Sequence, residues 1–124
     1  MTDSRHSVLF VDDTADTRSL VEWSLRQDGF DITTAQTAEQ GLNFARANSY
    51  SLILLDIGLP DKDGLELCRE IRAFNPDTPI LFYTAFADLL EHKKAIEAGA
   101  QGCLRKPEDT TRLATAIRAL VEKA

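Results

Sequence analysis

The chain has 124 residues, a length that suits one domain with a proper hydrophobic core. Its formal net charge of -6 argues against nucleic acid and anionic membranes as partners. No stretch approaches the roughly 20 apolar residues of a membrane span, and the N-terminus lacks the features of a signal peptide. A cytoplasmic protein without a membrane partner is therefore expected.

Five short runs, each predicted to be a strand, alternate with helical patterns along the chain. The runs are residues 8–11, 31–35, 52–55, 80–83 and 102–104. The first, third and fourth are almost continuously apolar, as parallel strands covered on both faces usually are. The second run is polar and alternating, which indicates a strand at the edge of the sheet.

The helical segments between these runs carry recognisable start and stop signals. Two pairs have the spacing of a capping box, Thr37 with Gln40 and Asp63 with Glu66. Gly29 and Gly99 stand where helix ends require a left-handed residue. The last helix is expected to bury apolar residues at helical spacing: Leu113, Ala116, Ile117, Leu120 and Val121. Strand followed by helix, repeated five times, predicts an α/β fold with a doubly wound parallel sheet.

Acidic residues follow two of the predicted strands directly. Asp12 and Asp13 come after the first strand, and Asp56 comes after the third. Ligands of open α/β sheets bind beyond the carboxyl ends of the strands, where these side chains would meet if the two strands are neighbours. Two unit charges ~4 Å apart repel by about 4 kcal/mol at an effective dielectric of ~20. Such a cluster needs a cation or raised pKa values of its carboxyl groups. Oxygen ligands with few protein donors suit Mg²⁺.

Two further polar residues end the fourth and fifth strands, Thr84 and Lys106. A metal, a lysine and a hydroxyl around a carboxylate form a phosphoryl-transfer site, in which the carboxylate can be the nucleophile. Taken singly, each residue has an ordinary explanation. A strand-end aspartate is usually a turn former or a helix cap, as Asp13 could be. The pattern becomes informative because each residue follows a different strand of one layout.

Four stretches resemble the receiver domain of two-component response regulators: VLFVDD, LLDIGLPDKDG, PILFYTA and GAQGCLRKP. They occur in the family's order and span nearly the whole chain. The resemblance implies the flavodoxin-like, CheY-like fold, with five parallel strands in the order 2-1-3-4-5 and five helices. It also implies one receiver domain over residues 1–124. Because the last helix ends near residue 122, no output domain is expected.

The resemblance also implies roles for individual residues. Asp56 resembles the phosphoacceptor, and Asp12 and Asp13 resemble the acidic pair that binds Mg²⁺ together with Asp56 and the Gly58 carbonyl. Thr84 resembles the hydroxyl that moves to the phosphoryl group, Lys106 resembles the cation that contacts it, and the Lys106–Pro107 bond is expected to be cis. All these assignments follow the family pattern: Asp12, Asp13, Asp56, Gly58, Thr84 and Lys106.

The family's phosphoryl donor is a phosphohistidine on a histidine kinase or a histidine phosphotransfer protein. The resemblance implies a monomer or weak dimer that acts as a signalling switch, not as a turnover enzyme. It would pass its signal to a protein target or relay phosphate onward. Trp23 lies on the side of the first helix away from Val21 and Leu25, which suggests a protein contact. In the family this helix borders the docking site for the histidine-bearing helices.

Two positions, Cys103 and Phe86, depart from the family pattern or modify it. Cys103 stands where the family commonly has Tyr or Phe. Tyr83 is no obvious replacement for that ring, because strand alternation aims it at the opposite face from Thr84. Cys103 is expected to be a small buried hydrophobe, and its distance in sequence from Cys68 favours two reduced thiols. Phe86 is expected to shield the phosphoryl group from water.

Other proteins could share parts of this pattern. A flavin mononucleotide carrier would need a phosphate-cradling loop after the first strand, whereas DDTADT is acidic. A phosphatase of the haloacid dehalogenase type needs Asp-x-Asp there, and Thr14 occupies the second Asp position. A receiver that binds partners without phosphate is the remaining alternative.

Overall fold

Parallel strands and helices alternate along the chain in a computed structural model that describes residues 6–85, 89–106 and 109–122. Within these ranges the strands are β1 (Ser7–Val11), β2 (Asp31–Ala35), β3 (Leu52–Leu55), β4 (Ile80–Thr84) and β5 (Gly102–Arg105). The helices are α1 (Ala15–Gln27), α2 (Ala38–Ala47), α3 (Gly64–Phe74), α4 (Leu89–Glu97) and α5 (Leu113–Val121), with a 3₁₀ turn (Thr110–Arg112) before α5. The predicted strand ends agree with the observed ones to within one residue.

The five strands form one parallel sheet in the order β2-β1-β3-β4-β5. This order and the edge position of β2 confirm the sequence-based expectation. The strand order reverses between β1 and β3, which is the topological switch point of the sheet. The chain leaves these two strands toward opposite faces of the sheet. This order therefore places the ends of β1 and β3 side by side.

Two apolar cores cover the two faces of the sheet. One core packs α2, α3 and α4 against residues such as Leu9, Ile53 and Phe82. The other packs α1 and α5 against residues such as Phe10 and Leu54. Burial of β1, β3 and β4 on both faces explains why their sequences are almost continuously apolar.

The helix ends follow the expected signals, with differences in detail. Thr37 accepts a hydrogen bond from the backbone N–H of Gln40 at 3.1 Å, as a capping box requires. The Gln40 side chain, however, accepts from the N–H of Gln36 at 2.9 Å and not from that of Thr37. Asp63 caps α3 through the N–H of Leu65 at 2.7 Å. Positive φ angles end α1 and α4, 90° at Gly29 and 111° at Gly99.

Helix α5 buries fewer side chains than its spacing predicts. Leu113 and Ile117 are fully enclosed. The remaining three residues are partly exposed at the rim of the core: Ala116, Leu120 and Val121. The expectation of five buried residues was therefore too broad, because α5 covers the sheet along a narrow stripe.

Both cysteines are free thiols, as expected. Cys68 is buried in the core, and this burial raises the pKa of its thiol to about 11. Cys103 is only partly buried, although it packs against the same core. The Lys106–Pro107 bond and Phe86 lie outside the described residues. Over the ranges the structure describes, none of the helices has the length and apolar character needed to cross a bilayer.

The Arg72 guanidinium joins the end of α3 to the segments before β4 and β5. Its Nε donates to the Gly99 carbonyl at 2.9 Å, and its Nη2 donates to the Gln101 side chain at 3.0 Å. Its Nη1 donates to the carbonyls of Asn75 and Thr78 at 3.1 and 2.6 Å. A planar fork with several fixed donors can make all four bonds at once, whereas an ammonium group cannot.

Replacing Arg72 by lysine is therefore expected to lower the free energy of unfolding by about 1.5 kcal/mol, as charged hydrogen bonds are lost. Urea unfolding followed by circular dichroism measures this change. Arg69→Lys, at an exposed position of the same helix, is the control and should change stability by less than about 0.5 kcal/mol. Equal stability of the two variants would show that the Arg72 fork does not hold these segments together.

Candidate functional site

The carboxyl ends of β1 and β3 bring three aspartates to one edge of the sheet. Val11 pairs with Leu55 in the parallel register, and the Asp56 N–H donates to the Val11 carbonyl at 3.0 Å. The residues that follow these strand ends, Asp12 and Asp56, are therefore neighbours. The fold itself places the predicted cluster, because neighbouring parallel strands end at the same edge.

One carboxylate oxygen from each of Asp12, Asp13 and Asp56 lies within 4.8 Å of the others. Asp12 is 0% exposed and Asp56 is 6% exposed, whereas Asp13 faces solvent. The cluster therefore has a buried inner side and one open side. A small ion can reach it from water without any movement of the core.

Lys106 reaches the cluster from the end of β5. Its Nζ donates to Oδ2 of Asp12 and, at 3.1 Å, to Oδ2 of Asp56. Burial favours a neutral amine, but the hydrogen bond that Lys106 donates to Asp12 and the charges of Asp56 and Asp12 together raise the pKa of Lys106. The lysine is therefore charged and offsets one of the three carboxylates.

Burial raises the pKa of the Asp12 carboxyl, although hydrogen bonds from Lys106 and the Thr14 N–H oppose this shift. Oδ1 of Asp12 accepts the Thr14 bond at 2.8 Å. The charged form of Asp12 is thus held by specific donors in an environment that disfavours it. A cation at the open side of the cluster would stabilise that charged form further.

Thr84 and Gly58 lie beside this cluster. Thr84 is the last residue of β4 and is buried, and its backbone carbonyl accepts from the Lys106 N–H at 3.0 Å. The Gly58 N–H lies 3.4 Å from Oδ1 of Asp56, and Gly58 itself is exposed. The structure therefore brings Asp12, Asp13, Asp56 and Lys106 into one cluster, with Thr84 and Gly58 on the adjoining backbone.

Two further residues support the site, and neither role was predicted from the sequence. Nη1 of Arg18, on α1, donates to the Asp12 backbone carbonyl at 2.8 Å. The Tyr83 ring centroid lies 5.6 Å from Nζ of Lys106, and the Tyr83 hydroxyl hydrogen-bonds to Thr110. Tyr83 does face the core opposite to that of its neighbour Phe82, as strand alternation predicted. No spacing rule links either residue to the site.

The donor set fits a hard divalent cation. The three carboxylates offer oxygen only, which hard cations prefer to nitrogen and sulfur ligands. Since Lys106 offsets one carboxylate, a divalent ion would offset the other two. The acidic cluster can thus bind a metal through Asp12, Asp13 and Asp56. Beside a carboxylate nucleophile, such an ion would also bind the oxygens of a phosphoryl group.

The chain matches a known protein family by sequence and a solved structure by fold. The family described as "Response regulator receiver domain" matches residues 8–118. A CheY-like response regulator receiver domain protein from Methanospirillum hungatei has a crystal structure with the same fold. It superposes with a TM-score of 0.91 at 28% identity, over 97% of this chain and 96% of that one.

Two longer relatives match by sequence. Response regulator ArlR of Staphylococcus saprophyticus is 35% identical over 116 residues, which is 94% of this chain and 52% of the relative. Transcriptional regulatory protein CseB of Streptomyces coelicolor is 37% identical over 123 residues, which is 99% of this chain and 52% of the relative. The chain thus spans about half the length of these relatives.

Proposed function

Because the chain belongs to the response regulator receiver domain family, we propose that it is a phosphorylation-dependent signalling switch in which Asp56 accepts the phosphoryl group. One observation carries this proposal. The Asp56 carboxylate lies within the acidic cluster of Asp12 and Asp13 and bonds to a charged lysine, Lys106. Nucleophile, cation site and charge-stabilising ammonium are thus assembled before any donor arrives, as phosphoryl transfer requires.

The reaction follows from this geometry. An Asp56 carboxylate oxygen attacks the phosphorus of a phosphohistidine, a P–O bond forms, and the P–N bond to the imidazole breaks. The electron pair of that bond stays on the histidine nitrogen, which becomes neutral or takes a proton from water. The bound cation, which we propose to be Mg²⁺ held by Asp12, Asp13, Asp56 and the Gly58 carbonyl, would neutralise charge on the transferred oxygens.

The transfer changes the charge at Asp56 and thereby drives the switch. An aspartyl phosphate adds about one further negative charge and three acceptor oxygens in place of the free carboxylate. Lys106, now shared between Asp12 and Asp56, would turn toward these oxygens, and the Thr84 hydroxyl would donate to them. Thr84 ends β4 and Lys106 directly follows β5. Their movement would therefore shift the populations of the alternative conformations of these strands and of the helices that follow.

The proposed partners are those that membership of the receiver domain family implies. We propose that the donor is a histidine kinase or a histidine phosphotransfer protein, and that the output is a contact with a protein target or a phosphorelay in the cytoplasm. The chain acts as a switch and not as an enzyme with turnover. The expectations of a single-domain regulator and of no nucleic-acid partner stay predictions, since the matched relatives are longer and some are named transcriptional regulators.

The proposal is tested by the intact mass of the protein after incubation with acetyl phosphate. We expect one added phosphoryl group with Mg²⁺ present and none with excess EDTA, because the acidic cluster must be neutralised before an anionic donor can approach. Mass addition that is equal in EDTA would contradict the metal requirement. No addition under either condition, with Mg²⁺ binding confirmed separately, would contradict phosphoryl transfer from small donors.

Trp23 offers a test of the proposed protein donor. It lies on α1 with 63% of its surface exposed, beside Leu20 at 53%. Because exposed aromatic residues often anchor protein contacts, Trp23→Ala is expected to slow phosphotransfer from a phosphohistidine protein about tenfold. The rate with acetyl phosphate should be unchanged. Leu90→Ala, at an exposed apolar residue of α4, is the control, and equal slowing with both donors would contradict a docking role.

A further inference from the structure

The loop between β3 and α3, residues 57–63, carries Gly58 away from the phosphoacceptor. In the outer part of this loop, Asp61 accepts two backbone hydrogen bonds from α2. Its Oδ1 accepts from the Ala38 N–H at 2.9 Å, and its Oδ2 accepts from the Glu39 N–H at 3.0 Å. Both N–H groups belong to the first turn of α2, where no partner exists within the helix. A loop carboxylate thus caps a helix that lies more than twenty residues earlier in the chain.

This contact is favourable on two counts. Each bond joins a charged acceptor to a backbone donor, and the N-terminus of a helix attracts negative charge. Asp61 is exposed. Its limited desolvation would raise the pKa of the carboxyl, but the bonds from the Ala38 and Glu39 N–H groups lower that pKa below its usual value. The carboxylate therefore stays charged at neutral pH and keeps its hold on α2.

A second contact anchors the same loop to the neighbouring helix α3, which follows it in the chain. Nζ of Lys62 donates to both carboxylate oxygens of Glu70 on α3, at 2.9 and 2.8 Å. The loop is thus tied to α2 by Asp61 and to α3 by Lys62. Gly58 lies between these ties and Asp56. It is exposed and has no side chain of its own, so the position of its carbonyl depends on the path of the loop.

We propose that Asp61 is a positioning residue of the metal site: by tying the loop to α2, it holds the Gly58 carbonyl where the cation binds. The inference rests on the proposed function, in which Gly58 is a metal ligand. Asp61 is not one of the three clustered carboxylates, which are Asp12, Asp13 and Asp56. It acts through the backbone between residues 58 and 61, as groups that orient metal ligands do in other sites.

Asp61→Ala removes both acceptors and is expected to weaken Mg²⁺ binding about tenfold, the low end of the loss when an orienting group is removed. Asp61→Asn keeps one acceptor oxygen and should give a smaller loss. The dissociation constants come from Mg²⁺ titrations followed by amide chemical shifts in NMR spectra, which measure weak binding in a chain of 13.8 kDa. This readout does not depend on phosphorylation.

Two matched variants separate positioning from simpler effects. Thr37→Ala removes the other side-chain cap of α2, which accepts from the Gln40 N–H, and leaves the loop tie intact. The Glu39 N–H donates a hydrogen bond to Asp61. Glu39→Gln removes the negative charge of this residue but keeps both hydrogen bonds to Asp61. Both variants should bind Mg²⁺ within about twofold of the wild type, since neither changes the path of the loop.

Order parameters of the Gly58 and Leu59 amides in metal-free protein give a second, metal-independent readout. We expect them to fall in Asp61→Ala and to stay unchanged in Thr37→Ala. Unchanged Mg²⁺ affinity in Asp61→Ala, or an equal loss in either control, would overturn the positioning role. If the wild type binds no Mg²⁺, the proposed function fails. Unchanged order parameters in Asp61→Ala would show, independently of the metal, that Asp61 does not hold the loop in place.

Discussion

Gly64→Ala is expected to lower the free energy of unfolding by about 3 kcal/mol or more, the upper range of overpacking costs. A Cβ atom at this position would lie 2.0 Å from the Asp56 carbonyl oxygen and 2.8 Å from the Ile57 Cα. Both contacts are with backbone atoms, so no side chain can turn aside. The Gly64 N–H also donates to the Ile57 carbonyl at 2.8 Å, which holds the two segments together.

The same substitution should disturb the site, because the backbone that must yield belongs to Asp56, the proposed phosphoacceptor. The melting temperature is expected to fall by roughly 10 °C, and the phosphorylation rate with acetyl phosphate should fall with it even well below that temperature. Calorimetry and intact mass measure the two effects. Gly41→Ala is the matched control: its Cβ would meet a Val11 methyl at 2.6 Å. Because this contact is with a side chain and not with the backbone, Gly41→Ala should cost less than Gly64→Ala, and an equal cost would contradict the role of the Asp56 backbone.

Asp13→Asn is expected to weaken Mg²⁺ binding at least tenfold, about 1.4 kcal/mol or more. Asp13 is the solvent-facing member of the cluster and lies on the side from which an ion would enter. In metal-free buffer the variant should be as stable as the wild type or slightly more stable. Removing one carboxylate relieves repulsion that Lys106 only partly offsets. Asp13 is thus expected to stabilise the metal-bound protein and to destabilise the metal-free protein slightly.

Thermal unfolding with and without Mg²⁺ measures both halves of this prediction. The wild type should gain stability as Mg²⁺ is added, because the ion binds the folded state. The Asp13→Asn variant should gain much less at the same concentrations. Asp16→Asn removes an equal charge from the first turn of α1 and should behave like the wild type. A full Mg²⁺ response in Asp13→Asn would remove Asp13 from the ligand set.

Much of the fold could be predicted from the sequence, because local signals specify it. Apolar runs marked β1, β3 and β4, and polar alternation marked β2 as an edge strand. The acidic cluster was also predictable, since residues that end neighbouring parallel strands must meet at one edge of the sheet. The extent of burial of α5 was less predictable, because helical spacing identifies an apolar face but not how much of that face the sheet covers.

The remaining contacts join residues distant in sequence through particular side-chain conformations. No spacing rule links Asp61 to the first turn of α2 or Arg72 to the Gly99 carbonyl. Gly64 could be identified as a turn residue, but its need for glycine arises from close approach of the Asp56 backbone. Its φ is not among the positive ones, so the requirement concerns space and not backbone conformation. Such requirements become visible only once the elements are packed.

Asp56 is the proposed carrier of the phosphoryl group, and peptide mapping of the modified residue tests this assignment. Acyl phosphates are reduced by borohydride, which would convert a phosphorylated aspartate to homoserine. After incubation with acetyl phosphate and Mg²⁺, peptide mass spectrometry should find homoserine at position 56, and none when EDTA replaces Mg²⁺. Asp56→Asn protein should give no homoserine at any position. Homoserine at Asp12 or Asp13, or phosphate retained on a histidine or a hydroxyl while Asp56 stays unmodified, would contradict the account.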